Sequence, residues 1–210
     1  MALGLGRPQD KRNRTVADLL VAQLIEAGVE RIYGIVGDSL NPVVDAVRRS
    51  QKGKGKGIEW VHVRHEESAA FAAAAEAEVT GKLAVCAGSC GPGNLHLING
   101  LYDANRSKVP VLAIASHIPS AQIGTSFFQE THPDRLFTEC SVYSEMISSA
   151  KQAPRVINSA IHHAYGAPGV SVLTIPGDVA DLDAAAEIID VAVHPAKPRI
   201  IPDPDALATL

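Results

Sequence analysis

The chain has 210 residues and a net charge of −4, with 46% hydrophobic residues but only 4% aromatic. That length suits one domain of about 150 residues with extensions, and the mildly acidic balance gives no support to nucleic-acid binding, which usually shows a concentrated basic face. With so few aromatics the core must be built of Ala, Val, Ile and Leu, as in parallel sheets buried on both faces under helices.

The chain opens on a basic leader, residues 1–14, carrying Arg7, Lys11, Arg12 and Arg14 and expected to be a disordered, solvated tail. Thr15 with Asp18 has the form of a capping box. Val16, Leu19, Leu20, Leu24 and Ile25 then follow at helical spacing until Gly28. A β-prone run, Arg31 to Val36, stops at Gly37-Asp38, and a second helix is expected over Leu40 to Ser50. The stretch Lys52-Gly53-Lys54-Gly55-Lys56-Gly57 reads as a flexible surface loop, since glycine maximises chain entropy and the lysines repel one another.

Alternation then takes over: strand Glu59 to Val63, helix Glu66 to Thr80, strand Leu83 to Ala87, helix Asn94 to Arg106, strand Val109 to Ala115. The pattern predicts an α/β fold, a three-layer α/β/α arrangement with a mostly parallel sheet of about six strands. A long, weakly periodic segment, His117 to Arg135, interrupts it, and such loops tend to be functional. A strand over Ser141 to Ile147, a helix over Pro154 to Tyr165 and an apolar strand Gly169 to Ile175 complete the domain, taken as residues 15–182. Residues 183–210, with Pro195, Pro198, Pro202 and Pro204, read as a linker into a further domain, with a helix possible from Pro204.

Four features bear on chemistry. Glu66 sits at the carboxyl end of a strand, where open α/β sheets place their ligands, although acidic residues also favour a helix start through its dipole. Cys90-Gly91-Pro92-Gly93-Asn94 joins a strand to a helix and lets backbone approach a ligand. Taken alone it invites a phosphate, yet it matches neither common phosphate-loop pattern. The alanines of Ala69 to Ala77 permit close helix approach, either within one subunit or at a dimer seam. The eight histidines form no HExxH or comparable ligand pattern, so no metal site is expected; His65 and His132 are candidates only for lining a site. The three cysteines, Cys86, Cys90 and Cys140, show no CxxC spacing and fit a reducing, cytoplasmic setting. No apolar run approaches the length of a membrane span.

Taken together, Tyr33 to Asp38, His65-Glu66, Ser89 to Asn94, Phe127-Phe128-Gln129-Glu130 and Pro176-Gly177-Asp178 occur in the order and spacing of one family. From about Thr15 to Val179 the chain resembles the N-terminal, pyrimidine-binding (PYR) domain of the thiamine-diphosphate enzymes, and Cys86 to Leu101 with Gln129 to Pro133 are most like the pyruvate oxidase branch, or pyruvate dehydrogenase (quinone). The resemblance implies the thiamine-diphosphate-binding fold and a catalytic role for Glu66, which would bond the cofactor's pyrimidine nitrogen and relay a proton, something a glutamine could not do. It also implies that Phe128 and Gln129 line the substrate side, and that Gly37, Gly91, Pro92, Gly93 and Asn94 flank the cofactor, which displaces the phosphate reading.

In the full-length enzyme the resemblance implies FAD and Mg2+, held by domains whose Gly-Asp-Gly motif has no match here. It further implies pyruvate as substrate, oxidised to acetate or acetyl phosphate and carbon dioxide, a quinone or other electron acceptor, and a homodimer or homotetramer through the PYR domain. Membrane contact would be peripheral only. The isolated chain is then expected to be an inactive piece of a longer protein that binds thiamine diphosphate weakly and holds no magnesium. The competing readings are an acetolactate synthase catalytic subunit, which forms its product without net redox change, and a non-catalytic assembly domain that keeps the fold.

Overall fold

The structure is a computed structural model and describes residues 14–52, 57–184 and 201–209. Most of the basic leader, the centre of the Lys/Gly loop and the greater part of the proline-rich linker therefore lie outside the described residues.

Helix α1, Val16–Glu26, starts where the capping box was expected: the Asp18 N–H donates to Thr15 Oγ1 at 3.2 Å, and the Thr15 N–H donates back to Asp18 Oδ2 at 3.0 Å. The other Asp18 oxygen accepts from the Arg49 guanidinium at 2.7 and 3.0 Å, which ties α1 to α2, Asn41–Ser50. Strands β1, Arg31–Gly34, and β2, Glu59–His62, are followed by α3, Glu66–Thr80, which ends at Gly81 in the left-handed conformation with φ +62°. Next come β3, Ala84–Gly88, α4, Pro92–Arg106, and β4, Val111–His117. The segment expected to be irregular holds only a 3-10 turn at Ser120–Gln122 and the short α5, Pro133–Leu136. Then follow β5, Tyr143–Met146, α6, Ala153–Gly166, β6, Val170–Pro176, the one-turn α7, Gly177–Ala180, and α8, Pro204–Ala208.

All six strands pair in parallel, in the order β2-β1-β3-β4-β6-β5. Strands β3, β4 and β6 are buried at every position. Alternate residues feed opposite layers, as a period of two requires. Val85, Ala87, Leu112, Ile114, Leu173 and Ile175 pack with α1, α2 and α6, whereas Ala84, Cys86, Val111, Ala113, Val170 and Val172 pack with α3 and α4. This is the three-layer α/β/α architecture read from the alternation. Several boundaries moved by a residue or two: β4 begins at Val111 and runs on to His117, α4 starts at Pro92, two residues ahead of the expected Asn94, β1 ends at Gly34 and not Val36, and β5 covers only Tyr143–Met146 of the expected Ser141 to Ile147.

The alanine face of α3 is enclosed within the chain. Ala69, Ala70, Ala73, Ala74 and Ala77 are buried, and a Cβ at Gly100 of α4 would lie 2.5 Å from the Ala70 Cβ. The close approach foreseen for these small residues is thus made by α4, within the chain. Among the described residues no helix is long and apolar enough to cross a membrane.

Candidate functional site

From β1 the chain passes to β2 on one side of it and then returns to β3 on the other. The segments leaving β1 and β3 consequently diverge to opposite layers, α2 to one and α4 to the other, and open a crevice at the strand ends where such folds take ligands. The loop after β1 carries Gly37 and Ser39; the loop after β3 carries Ser89 and Cys90. A Cβ at Gly37 would lie 2.5 Å from Ser89 Oγ, so glycine here lets the two loops touch. Ser39 Oγ lies 3.0 Å from Ser89 Oγ and accepts the Cys90 N–H at 3.0 Å, while Ser116 Oγ at the end of β4 donates to the Ser39 carbonyl at 2.5 Å. Hydroxyls and amides from these two loops and the end of β4 thereby brace the crevice floor.

Gly91 turns the chain into α4 with φ +67° and ψ −117°, a conformation that side chains rarely adopt, and Pro92 follows at the first helical position, where its missing N–H costs nothing. Gly93 packs back on Gly88: a Cβ at Gly88 would lie 2.7 Å from the Gly93 carbonyl oxygen. Asn94 is wholly enclosed; its amide donates to the Ser116 carbonyl at 2.8 Å and its Oδ1 has no partner. The geometry gives Asn94 the work of fastening the start of α4 to the end of β4.

Glu66 is the first residue of α3, capped by His65, whose Nδ1 accepts the Glu67 N–H at 3.2 Å. The Glu66 side chain is 10% exposed. Its Oε2 lies 3.1 Å from His96 Nδ1, and its Oε1 faces Gly93, 3.2 Å from where a Cβ on that residue would stand. A carboxyl nearly withdrawn from water, with one oxygen engaged and the other turned to a side-chain-free surface, is poised to bond a flat polar group laid against Gly93. The His65 and His96 rings stack at 4.3 Å over its outer side.

Gln129 enters the same crevice from the long loop. Its Cβ would stand 2.8 Å from a Cβ at Gly91, and its Oε1 accepts from Cys90 Sγ at 3.5 Å. Gln129 has φ +65°, a strained backbone that Glu130 helps to hold by accepting the N–H groups of Gly124 and Phe127. Those N–H groups, Gly124 foremost, keep the Glu130 carboxyl below its usual range despite slight desolvation. Phe128 is 79% exposed.

The Gly88–Gly93 turn is the hub: it touches the Gly37 loop through Ser89, the Gln129 loop through Gly91 and the Glu66 carboxyl through Gly93. A residue not singled out in the sequence is His96. It stands three residues after Gly93, on the same face of α4, and helical spacing from the glycine turn would have pointed to it. His132 lies elsewhere. With His117, Thr131, Ser144 and Met146 it lines a cavity of about 470 Å³ beyond the ends of β4, β5 and β6, to which Glu66 does not belong. His117 is almost fully buried there, and desolvation pushes its pKa down. The cysteines are free and buried, with burial raising Cys86 to about 12 and Cys140 to about 11, so both are thiols and poor nucleophiles.

Comparison with known proteins agrees with this geometry. Residues 14–136 match the family described as thiamine pyrophosphate enzyme, N-terminal TPP binding domain. The chain belongs to that family and forms its cofactor-binding α/β domain. It is 58% identical over 202 residues to an uncharacterized 42.6 kDa protein from the isoamylase 3′ region of Pseudomonas amyloderamosa, covering 94% of this chain and 50% of that protein. It is 37% identical over 201 residues to the pyruvate oxidase of Lactiplantibacillus plantarum, covering 95% of this chain and 33% of the relative. Against the acetolactate synthase of Mycobacterium bovis it is 36% identical over 166 residues, with 79% and 26% covered. The chain thus spans half or less of the length of these relatives.

Proposed function

We propose that this domain supplies the pyrimidine-holding half of the active site in a cytoplasmic, FAD-dependent pyruvate:quinone oxidoreductase. The observation that carries the reading is the Glu66 carboxyl, nine-tenths buried, held by His96 on one oxygen and free on the other beside Gly93. The residues fit thiamine diphosphate: a flat aminopyrimidine needs one buried carboxyl to bond its ring nitrogen and a surface without side chains to lie against. Bound there, the cofactor supplies an electron sink for removing carbon dioxide from a 2-keto acid.

The chain's own residues do four things in this reading. Glu66 holds and passes a proton at its Oε1. The Gly91-Pro92-Gly93 turn admits the ring and Gly37 keeps the two loops in contact. Gln129 presents a carboxamide toward the substrate side, and the exposed Phe128 ring excludes water once another domain or subunit closes over it. Mg2+ and the diphosphate fall to segments beyond this domain, since its Gly-Pro-Gly turn carries no acidic ligand. Similarity to a pyruvate oxidase over 95% of the chain supports the oxidase branch, and the acetolactate synthase relative, matched over 79%, supports the runner-up.

The test is Glu66→Gln in the full-length protein that carries this domain, assayed with pyruvate for acceptor reduction and for acetolactate. The reading expects acceptor reduction in the unaltered protein and a fall of at least a hundredfold in turnover in the variant, in line with the loss of a proton-transfer group. Acetolactate as the product would replace the oxidase reading by the synthase one, and near-normal turnover of the variant would remove the relay role.

A further inference from the structure

Three ligand-bearing side chains, two adjacent at the start of α3 and one from α4, converge at the mouth of this crevice. His65, Glu66 and His96 each offer one ligand atom, and these atoms all lie within 4.8 Å of one another. We propose that they form a binding site for a divalent transition-metal ion of the zinc, nickel and copper type, in direct competition with use of the Glu66 carboxyl.

Two imidazoles and one carboxylate are a donor set that suits those ions and not magnesium, which favours oxygen ligands alone. Zinc holds nitrogen and carboxylate oxygen at about 2.0 to 2.1 Å in tetrahedral geometry, which sets neighbouring ligand atoms about 3.3 Å apart. His96 Nδ1 and Glu66 Oε2 already stand at 3.1 Å. The separation of that pair already suits a shared ion, which would sit off the line of their hydrogen bond and displace its proton, with a tilt of the exposed His96 ring.

The third ligand must swing in. The rings of His65 and His96 are stacked, 27° from parallel, and a ring binds metal in its own plane, so His65 has to rotate out of the stack. Its side chain is 47% exposed, touches the His96 ring and the N–H of Glu67, and stands 3.8 Å from the Glu67 carboxylate, so the rotation gives up the stack. Charge permits it. The positive end of α3 disfavours a cation, but Glu66 and Glu67 place two carboxyls in that same first turn. Glu66 itself is held by packing at 10% exposure, while His96 is 45% exposed and gives the ion its way in from solvent.

Binding of the ion stands on the cluster alone. Its consequence, loss of the carboxyl that the cofactor needs, rests on the function proposed above. The test therefore reads binding on the 210-residue chain without any turnover. Zn2+ is titrated by calorimetry and by competition with a chromophoric chelator, and Cu2+ is added for electron paramagnetic resonance. One zinc site of micromolar affinity is expected, unaffected by excess Mg2+, with a Cu2+ spectrum carrying two imidazole nitrogens. His96→Ala and His65→Ala should each weaken zinc at least tenfold and reduce the copper spectrum to one nitrogen. His163→Ala, on the far layer, should change neither. Circular dichroism confirms that each variant is folded, and both histidines are exposed enough for that. Equal zinc affinity in the chain and in the His65→Ala/His96→Ala double variant, or no binding at all, overturns the proposal.

Discussion

Replacing Gly100 by alanine tests the packing that sets the site, because the contact of α3 with α4 determines how Glu66 meets Gly93 and His96. A Cβ at Gly100 would stand 2.5 Å from Ala70 Cβ, 2.8 Å from Phe71 N and 3.0 Å from the Ala70 carbonyl carbon. Ordinary carbon contacts lie at about 3.5 to 4.0 Å, so α4 must retreat by roughly 1 Å. The obstruction is largely backbone and no rotamer can relieve it. Overpacking of this kind costs about 1 to 3 kcal/mol, offset by about 1 kcal/mol from the better helix propensity of alanine. The net loss, up to about 2 kcal/mol, lowers the melting temperature by up to about 8 °C in a domain of this size. Gly166, at the end of α6, is the internal control, since a Cβ there would meet nothing within 4 Å. Gly166→Ala should gain about 0.4 to 1 kcal/mol from the reduced freedom of the unfolded chain. Thermal and urea unfolding followed by circular dichroism decide the matter. If Gly100→Ala melts at or above the temperature of the unaltered chain, the tight α3–α4 seam is not what positions these helices.

Gly93→Ala should act differently: its Cβ would press on Glu66 Oε1 from 3.2 Å, so stability should change by less than about 1 kcal/mol while the His96 imidazole resonances move. Unmoved resonances would show that Gly93 does not set the carboxyl. Tyr165→Phe strips the buried Leu83 N–H of the hydroxyl it reaches at 2.7 Å, and urea unfolding should register a loss of about 1 to 3 kcal/mol; an unchanged midpoint would remove that hydrogen bond from the account. For Glu130 the sign follows from its depressed pKa. Its hold on the Gly124–Phe127 backbone is complete above the ordinary glutamate pKa of about 4.3 and is lost as pH falls through the lower folded value. Amide exchange in the Gln129 loop, corrected for intrinsic rates, should therefore be flat near neutrality and rise only in stronger acid, whereas Glu130→Gln should raise it already at neutral pH. Equal loop exchange in the two proteins at neutral pH would contradict this.

The layers were legible because the core is made by regular repetition. Apolar strands alternate with helices from Arg31 to Pro176, and each crossover between parallel strands demands a covering helix. The capping box at Thr15 and Asp18 could be read as a local rule, since both partners lie within one turn. Glu66 could be placed at a strand end, but its partner could not. His96 lies thirty residues away, and only the packing of α3 on α4 brings the two within 3.1 Å. Asn94 sits in the glycine turn expected to face the cofactor, yet the pitch of α4 turns it inward to Ser116. The alanines of α3 announced close packing without naming the partner, because small side chains record a distance and no direction. Strand ends shifted where Pro110, lacking an N–H, delays the ladder.

The strand order has a consequence for how such a chain comes into being. Among the described residues strand β5 pairs only with β6, and β6 is translated later, after the whole of α6. During synthesis, β4 presents a bare apolar rim and β5 has nothing to join until residues 170–176 emerge and slide between them. Nascent chains halted near residue 165 should on this view be captured by chaperones, and those released beyond residue 180 should not.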